Sequence, residues 1–385
     1  MITIANPRDC CGCTACASIC AHNAIIMQPD AFGFLYPKVV ELSCVDCGQC
    51  EKVCPIIKRK NKTYNTEPRE WLAARHHNNK ILFESTSGGV SSALINEVLE
   101  NNGVIYGVSY NDNMEVVHSS AETKEDCMKF VGSKYVQSNI IGVFPQIREQ
   151  LQEGKKTLFI GTPCQVEGLK SFLRKDYENL LTVDIICHAV SSPKVFSDYI
   201  HYVEQKIGRK LNNIKMRDKQ KKGWGHSTST RYIFNDGVTM IDPRGLIDWN
   251  SIYFSGLIDR PSCGECQFCN INRPGDLTIG DFWDDNNKRP DLYDRNGTSL
   301  VLVNTEKGYN MVHGNKNLSC WIVKMEEAMQ YNLHCSTIPN AKADYFRIDY
   351  INTGFRPTIK KYIINPRLGF FRRELLFLKR LIYRK

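Results

Sequence analysis

The sequence predicts two unequal folded parts, a small α+β domain over residues 1–58 and a larger α/β domain after it. Two observations support this division. Eight cysteines in the first 54 residues repeat the spacing C-x2-C-x2-C-x3-C, and an offset of 34 residues superimposes the two runs. Buried strands then alternate with helices, the pattern that is typical of strand–helix–strand units in a parallel sheet.

The cysteine spacing is that of the bacterial ferredoxin domain, which holds two [4Fe-4S] clusters. Three thiolates at i, i+3 and i+6 reach one cube from a single loop, whereas the fourth cysteine of each run serves the other cluster. The predicted ligands of the first cluster are Cys10, Cys13, Cys16 and Cys54. Those of the second cluster are Cys44, Cys47, Cys50 and Cys20. Cys11 breaks the spacing and is interpreted as a bystander.

Two alternatives to cluster ligation are weaker. Zinc sites prefer cysteine pairs or mixed Cys/His ligation, not triplets. Disulfides need an oxidising compartment, and residues 1–8 lack the apolar segment of a secretory signal, so we expect free thiols and a cytoplasmic location. No stretch approaches 18 apolar residues, so the sequence predicts no transmembrane span.

Residues 59–70 are polar and are predicted to be a linker. The larger domain is expected over residues 71–340, with one part at about 71–150 and another at about 151–340. An apolar face at helical spacing predicts a helix after Ser87-Gly88-Gly89. Strands are predicted over residues 104–108, 157–160, 180–186 and 300–304, and from residue 276 onward.

A third four-thiolate site is predicted at one edge of this sheet. The strands at 157–160 and 180–186 flank a helix and should therefore be parallel, so Cys164 and Cys187 follow neighbouring carboxyl ends, where α/β sheets bind ligands. Cys263 and Cys266 form a C-x2-C pair that completes the set, and Cys269 competes as a ligand. The remaining thiols, expected to be buried and without a role, are Cys127, Cys320 and Cys335.

Seven ordered motifs lie between about residues 5 and 310. They are Ser87-Gly88-Gly89, residues 132–138, 161–166, 184–188, 217–219 with Gly223-Trp224, 260–263 and 280–283. Together they resemble the coenzyme F420 hydrogenase/dehydrogenase beta-subunit family, here with an N-terminal ferredoxin domain and more similar to bacterial members of polysaccharide loci than to archaeal hydrogenase subunits. One departure is Ala189-Val190-Ser191 after His188, where the family usually has Gly-Val-Pro, and this substitution can reshape the loop.

The resemblance implies a bound flavin, FAD or FMN, and a third [4Fe-4S] cluster on Cys164, Cys187, Cys263 and Cys266. The implied flavin contacts are Ser87, Gly88, Gly89, Ser133, Lys134, Tyr135, Thr162 and Pro163. The candidate catalytic residues are His188, Asp281 and Lys134. Plainer interpretations stay open, namely a helix cap for Ser87-Gly88-Gly89, a surface position for Lys134, a turn acid for Asp281 and a structural hydrogen bond for His188.

The expected function is that of a flavin-dependent iron–sulfur oxidoreductase. Electrons pass from the ferredoxin-type clusters through the third cluster to the flavin, which reduces or oxidises a small organic substrate, with polysaccharide biosynthesis as the suggested context. A flavin suits this task because it links one-electron carriers to hydride chemistry. The alternative is an electron-transfer subunit that serves a partner enzyme. A redox partner protein is expected in either case; a nucleic-acid partner is not, and no motif indicates a nicotinamide or ATP site.

Residues 341–385 are predicted to form a basic amphipathic tail. From residue 355 onward there are ten basic residues and one acid, a formal charge of +9, which equals the net charge of the whole chain. Such a segment suits peripheral contact with an anionic membrane. The alternatives are a helix packed on the protein's own ferredoxin domain and a disordered tail.

Overall fold

The structure is a computed structural model that describes residues 1–60, 67–226, 228–283 and 288–364. Within these ranges thirteen strands form three sheets. The strands are β1 (Ile25–Pro29), β2 (Leu35–Val39), β3 (Glu70–His76), β4 (Val104–Tyr110), β5 (Val116–Ala121), β6 (Thr157–Gly161), β7 (Leu180–Ile185), β8 (Leu211–Asp218), β9 (Ser229–Phe234), β10 (Thr239–Ile241), β11 (Leu277–Asp281), β12 (Ser299–Val303) and β13 (Leu318–Ile322).

The α-helices of the same ranges connect these strands. They are α1 (Ala15–Ile19), α2 (Gln49–Lys52), α3 (Pro55–Lys60), α4 (Asn79–Glu84), α5 (Val90–Glu100), α6 (Lys124–Cys127), α7 (Val143–Gln152), α8 (Pro163–Leu173), α9 (Pro193–Ile207), α10 (Trp249–Tyr253), α11 (Glu306–His313), α12 (Met325–Ala328), α13 (Ala343–Thr353) and α14 (Phe355–Ile359). A single π-helical turn, Lys360–Ile364, follows α14.

The N-terminal unit is a structural repeat with the 34-residue offset of its sequence. Gly12 and Asp46 both have positive φ angles (70° and 48°), as do Thr14 and Gly48 (67° and 68°). Each pair of left-handed residues turns the chain into a short helix, α1 in the first half and α2 in the second. With the antiparallel β1–β2 hairpin, this is the ferredoxin-like α+β unit that the cysteine spacing predicts.

The large sheet has eight strands in the order β13-β3-β12-β11-β7-β6-β4-β5. Its centre is parallel, since β4 pairs with β6, β6 with β7 and β7 with β11 in parallel register. The predicted β6–α8–β7 unit is therefore confirmed, with Thr157 opposite Leu180 and Gly161 opposite Asp184. At the coarse level the fold class is confirmed, a ferredoxin-like unit followed by an α/β domain.

The ferredoxin-like unit packs directly on the large domain. Ile2, Cys13 and Val53 share one apolar cluster with Phe144 of α7 and Leu169 of α8. The predicted linker begins inside α3, because that helix continues to Lys60. The guanidinium of Arg59 donates to the carbonyl oxygens of Gln267 (2.6 Å) and Asn272 (2.8 Å), so residue 59 is bound to the large domain.

The C-terminal helices belong to the core as far as residue 359. Phe346 of α13 and Ile359 of α14 are fully buried, in the same apolar cluster as Phe32 and Phe34 of the ferredoxin-like unit. The part of the predicted tail between 343 and 359 is thus packed, and residues 365–385 lie outside the described residues. Among the described helices, none is long and apolar enough to cross a membrane.

Candidate iron–sulfur centres and an adjoining charged cluster

The predicted ligands of the first cluster lie together at the base of the ferredoxin-like unit. Cys13, Cys16 and Cys54 are buried, with 7–8% of their surface exposed, and Cys10 and Cys54 both lie near Cys16. Burial raises the pKa of Cys16 to about 12, because a bare thiolate is poorly solvated there. Such thiols become ligands when a metal compensates their charge.

The predicted ligands of the second cluster line one cavity. Cys20, Cys44, Cys47 and Cys50 surround it together with Met1 and other apolar side chains. The backbone N–H of Ala24 donates to the Cys20 sulfur (3.3 Å), the kind of bond that tunes an iron–sulfur site. This cavity is more open than the first site, because Cys47 is exposed.

The predicted third site is also a single cavity. Cys164 lies in the first turn of α8, Cys187 follows β7 by two residues, and Cys263 and Cys266 come from the loop at 261–266. All four line one cavity, and Cys269 lines it too. Burial raises the pKa of Cys187 and Cys263, and the neighbouring thiols raise it further because they disfavour a second negative charge.

A buried ion pair fixes the loop that carries two of these thiols. Arg273 donates to Asp184 of β7 through Nε (2.9 Å) and to the carbonyl oxygen of Phe268 (2.7 Å). Both charged side chains are almost fully buried. A hydrogen bond with Cys269 lowers the pKa of Cys266 to about 7. The sequence analysis did not single out Arg273, since its partner lies 89 residues away.

Cys11 joins the first and third sites. Cys11 lines the third cavity together with Cys164, and it belongs to the same loop and apolar cluster as Cys13. The residue that the spacing marks as a bystander therefore lies between two predicted sites. Gly168 of α8 permits this approach, since a Cβ there would lie 2.8 Å from the Cβ of Cys13.

Arg260 also holds the ferredoxin-like unit against the large domain near Cys11. Its guanidinium donates to the carbonyl oxygens of Cys10 (2.8 Å) and Leu35 (2.9 Å) and to the side-chain oxygen of Gln137 (2.7 Å). Gln137 in turn donates to the carbonyl oxygen of Cys11 (3.0 Å). Only 1% of Arg260 is exposed, so three hydrogen bonds hold a buried cation between the two domains.

The Ser87-Gly88-Gly89 loop, which holds three of the implied flavin contacts, is hydrogen-bonded to its own domain. The Ser87 hydroxyl donates to the carbonyl oxygen of Thr298 (2.7 Å), and the Gly88 N–H donates to the Ser299 hydroxyl (2.9 Å). A Cβ on Gly88 would lie 2.3 Å from the carbonyl oxygen of Ala74. The Gly88 N–H is therefore not free, and close strand packing explains this glycine. Gly89 precedes α5 with φ 79°, a left-handed conformation that favours glycine.

Ser133 and Lys134 lie beside this loop. The Ser133 N–H donates to the Thr86 hydroxyl (3.0 Å). The Lys134 ammonium donates to the carbonyl oxygens of Lys129 (2.8 Å), Val131 (3.2 Å) and Gly132 (3.3 Å), and burial lowers its pKa to about 7. These hydrogen bonds stabilise the turn at 129–132. The Lys134 ammonium is therefore already bonded within its own segment.

Asp281 anchors a charged cluster, which we define as Lys134, Lys215, Arg217, Lys219, Arg231, Glu84, Asp218 and Asp281. Its carboxylate accepts hydrogen bonds from Arg217 and from the indole N–H of Trp224 (2.8 Å). The Lys219 ammonium donates to the carbonyl oxygen of Ser87 (2.9 Å). Ser87 and Asp281 thus each accept a hydrogen bond from a basic residue of this cluster.

His188 lies at the third site, apart from the other candidate catalytic residues. It lines the thiol cavity, and its ring is 5.7 Å from those of Tyr253 and Phe254. Burial lowers its pKa. Thr162 and Pro163 line the same cavity, so the structure separates these two predicted flavin contacts from the loop at 87–89.

Tyr253 connects the third site to the charged cluster. It packs against His188 on one side and stacks on Tyr135 at 4.5 Å on the other. Tyr135 is hydrogen-bonded to Arg217. The sequence analysis missed Tyr253, which lies outside every motif, although its position ten residues before Cys263 is a signal that could have been used.

A ferredoxin-like unit with eight regularly spaced thiols defines an iron–sulfur protein class. The 4Fe-4S dicluster domain matches residues 9–56, and the family described as the C terminus of the coenzyme F420 hydrogenase/dehydrogenase beta subunit matches residues 154–327. The chain thus joins a 4Fe-4S dicluster domain to a region that matches this beta-subunit family, which confirms the family resemblance drawn from the motifs.

Two curated relatives carry coenzyme F420 in their names. The chain is 24% identical over 190 residues to one of the subunits of the F420H2 dehydrogenase of Methanosarcina mazei, a match that covers 46% of this chain and 53% of that protein. It is 26% identical over 165 residues to the coenzyme F420-dependent sulfite reductase of Methanocaldococcus jannaschii, covering 42% and 24%. A chain in a solved structure of the F420-reducing [NiFe] hydrogenase complex from Methanosarcina barkeri is 17% identical, with a TM-score of 0.45, covering 78% of this chain and 93% of that one.

The side chains at the predicted sites match the implied clusters and the implied flavin to different degrees. The second and third thiol groups each surround a cavity with four predicted sulfur ligands, which suits a cubane cluster. In the described ranges no three His, Cys, Asp or Glu side chains are placed to hold a single metal ion. The charged cluster has five basic and three acidic side chains, and Gly132 has nothing within 4 Å of an added Cβ. The excess of basic side chains is the feature of this cluster that an anionic organic cofactor would use.

Proposed function

We propose that this chain is an iron–sulfur flavoprotein oxidoreductase in which three [4Fe-4S] clusters exchange electrons with a flavin beside the charged cluster. The observation that supports it best is a continuous series of contacts. Cys11 lies between the first and third sites, and Tyr253 with Tyr135 continues from the third site to Arg217. Cys11 and Tyr253 are buried, whereas Tyr135 and Arg217 are half-buried.

The order of the sites follows from their exposure. Cys47 of the second site is exposed, and Val45 beside it is 60% exposed. Cys13 and Cys16 of the first site are buried against the large domain. We therefore infer that electrons enter at the second site, continue to the first and reach the third, although the reverse direction uses the same contacts.

Each residue of the charged cluster would have its own role in holding the cofactor. Asp281 orients the Arg217 guanidinium, which would face the anionic part of the cofactor. Lys219 and Lys134 hold the backbone turns at 87 and 129–132 in shape through carbonyl hydrogen bonds. A flavin bound here would supply the conversion between single electrons and a hydride. His188 would act beside the third cluster instead, as a hydrogen-bond partner.

The substrate class we propose is a small organic hydride acceptor or donor. Both relatives named above carry coenzyme F420 in their names, so a deazaflavin coenzyme is the first compound to test. The suggested role with a sugar or glycan precursor stays a prediction from the motifs.

One observation favours a second candidate, an electron-transfer subunit without a substrate of its own. Val45, which lines the second site, is 60% exposed, and Leu42, two residues before Cys44, is fully exposed. One relative is named as a subunit of a dehydrogenase. Such an edge suits a protein partner. In this case the charged cluster would hold the flavin, but no small organic compound would be turned over.

Anaerobic purification followed by flavin extraction and reduction tests the proposal. We expect about one noncovalent flavin per chain, reduced by dithionite through the clusters in the wild type. Cys164→Ala should retain flavin but reduce it more slowly, whereas Cys127→Ala, a buried thiol outside the three groups, should behave as the wild type. A chain purified without flavin, and unable to bind added FAD or FMN, would contradict the proposal. Turnover of coenzyme F420 by the isolated chain then separates the two candidates.

A further inference from the structure

Arg260 is a fully buried cation at the junction of the first and third predicted sites, with 1% of its surface exposed. Its Nε donates to the carbonyl oxygen of Cys10 (2.8 Å) in the loop of the first site. The residue also lines the cavity of the third site, and its own carbonyl oxygen accepts from the N–H of Cys263 (2.9 Å). One residue therefore contacts the loops that carry predicted ligands of both sites.

The neighbours of this guanidinium satisfy its hydrogen-bonding groups without balancing its charge. It donates to the carbonyl oxygens of Cys10 and Leu35 and to the side-chain oxygen of Gln137. Its central carbon lies 4.4 Å from the ring centroid of Tyr36. All these partners are electrically neutral at neutral pH, so they bring no negative charge to the site.

Other buried arginines of the chain differ from Arg260 in having a carboxylate partner. Arg217 pairs with Asp281. Arg273 pairs with Asp184. Within the described ranges, no carboxylate forms an ion pair with Arg260, and a buried charge without a partner of opposite sign is strongly unfavourable. Four thiolate ligands give a [4Fe-4S] cluster a net negative charge, which increases when the cluster is reduced. The two predicted clusters on either side are therefore the counter-charge that fits this cation.

We propose that Arg260 is a charge-balancing residue shared by the first and third clusters, and that its fixed positive charge raises the reduction potentials of both. An added electron is stabilised by a nearby cation, and this attraction is weakly screened in a buried site. The guanidinium keeps its charge at any pH at which the protein is folded. Arg260 does not line the second cavity, so the second cluster serves as an internal reference. The inference rests on the proposed function because it requires both clusters.

A redox titration of the full chain under anaerobic conditions, followed by electron paramagnetic resonance, tests this role, with iron content measured in parallel. Arg260→Gln removes the charge and should lower the potentials of the first and third clusters relative to that of the second. Arg260→Lys keeps the charge and should remain closer to the wild type. Unchanged potentials of both clusters in an iron-loaded Arg260→Gln chain would overturn the proposal.

A second pair of variants changes the charge while Arg260 stays in place, and it decides the question if Arg260→Gln does not fold. Gln137→Glu puts a carboxylate where an amide oxygen now accepts from the guanidinium (2.7 Å), so the positive charge is cancelled. Gln137→Met has a similar length and no charge, and both variants lose the amide donor to the carbonyl oxygen of Cys11 (3.0 Å). We expect lower potentials of the first and third clusters in Gln137→Glu than in Gln137→Met. Equal potentials in the two would refute an effect of charge.

The iron content of the wild type separates this inference from the proposed function. A wild-type chain with about eight irons would lack the third cluster, and the proposed function would fail, while the shift at the first cluster would still test the charge of Arg260. About twelve irons with unchanged potentials in Arg260→Gln would refute the role of Arg260 alone.

Discussion

Tyr135 stacks on Tyr253 with ring centroids 4.5 Å apart and planes 11° from parallel. Both rings belong to the larger domain, and each contacts a different part of the proposed electron path. Tyr253 packs against His188 at the third thiol cavity, whereas Tyr135 is hydrogen-bonded to Arg217 in the charged cluster. The stacked pair thus lies between the third thiol cavity and the charged cluster.

Replacing Tyr253 should interrupt this link. Tyr253→Leu removes the stacked ring and should slow flavin reduction by the clusters while iron and flavin contents stay at the wild-type level. Tyr253→Phe keeps the ring and loses only the hydroxyl bond to the Ala189 carbonyl oxygen (3.0 Å), so its reduction rate should be near that of the wild type. Stopped-flow absorbance measures both rates. Equal rates in the two variants would place the path elsewhere.

Gly168→Ala tests the junction between α8 and the first thiol group. Alanine favours a helix by about 1 kcal/mol over glycine, so a change without a clash would stabilise the chain. Here the new Cβ would lie 2.8 Å from the Cβ and 2.9 Å from the sulfur of Cys13, and overpacking costs about 1–3 kcal/mol. We expect net destabilisation and loss of iron from the first site, measured by urea unfolding and iron analysis. Lys170→Ala on the same helix is the control, and a stabilised Gly168→Ala chain would refute this packing.

Asp281→Asn should be costly because it leaves a buried cation without its partner. The side chains of Arg217 and Asp281 are only 9% and 14% exposed, and breaking such a pair costs about 3–5 kcal/mol. The matched control is Asp291→Asn, whose 61% exposed carboxylate pairs with Arg289 and should contribute at most about 1 kcal/mol. Denaturant unfolding under anaerobic conditions compares the two. Similar losses in both variants would show that burial does not strengthen the Arg217 pair.

Val45→Asp should weaken electron transfer from a protein donor to the second site. Val45 lines the second thiol cavity and is 60% exposed, so a charge there should weaken docking of a protein donor without harming the fold. We expect a KM for a reduced ferredoxin raised about tenfold, equivalent to roughly 1.4 kcal/mol, and an unchanged rate with dithionite. Ile322→Asp, on the edge strand β13 and 73% exposed, serves as the control. A larger effect of the control variant would move the docking surface away from the second site.

The grouping of the N-terminal cysteines was largely predictable because it is local. A fixed spacing brings three thiols onto one loop, and the four cysteines assigned to the second cluster do line one cavity. The third site was predictable from topology, since the parallel pair β6–β7 places Cys164 and Cys187 at one sheet edge. Strand positions followed from apolar runs of four to six residues that both faces of the sheet bury.

The remaining features depend on contacts between distant parts of the sequence. The Gly88 N–H is satisfied by Ser299, which is 211 residues away, and no local pattern reveals that partner. Cys11 looked irrelevant because it breaks the spacing, and only the docking of α8 through Gly168 brings it to Cys164. The flavin contacts were assigned from motifs, and the structure divides them between two neighbouring regions.

The most direct test of the central claim is the iron and acid-labile sulfide content of the anaerobically purified chain. Three cubane clusters on twelve of the seventeen cysteines require about twelve irons and about twelve sulfides per chain. The account predicts this value for the wild type and about eight irons for Cys164→Ala and Cys263→Ala. A wild-type chain that reproducibly holds only about eight irons, and does not change in these variants, would contradict it.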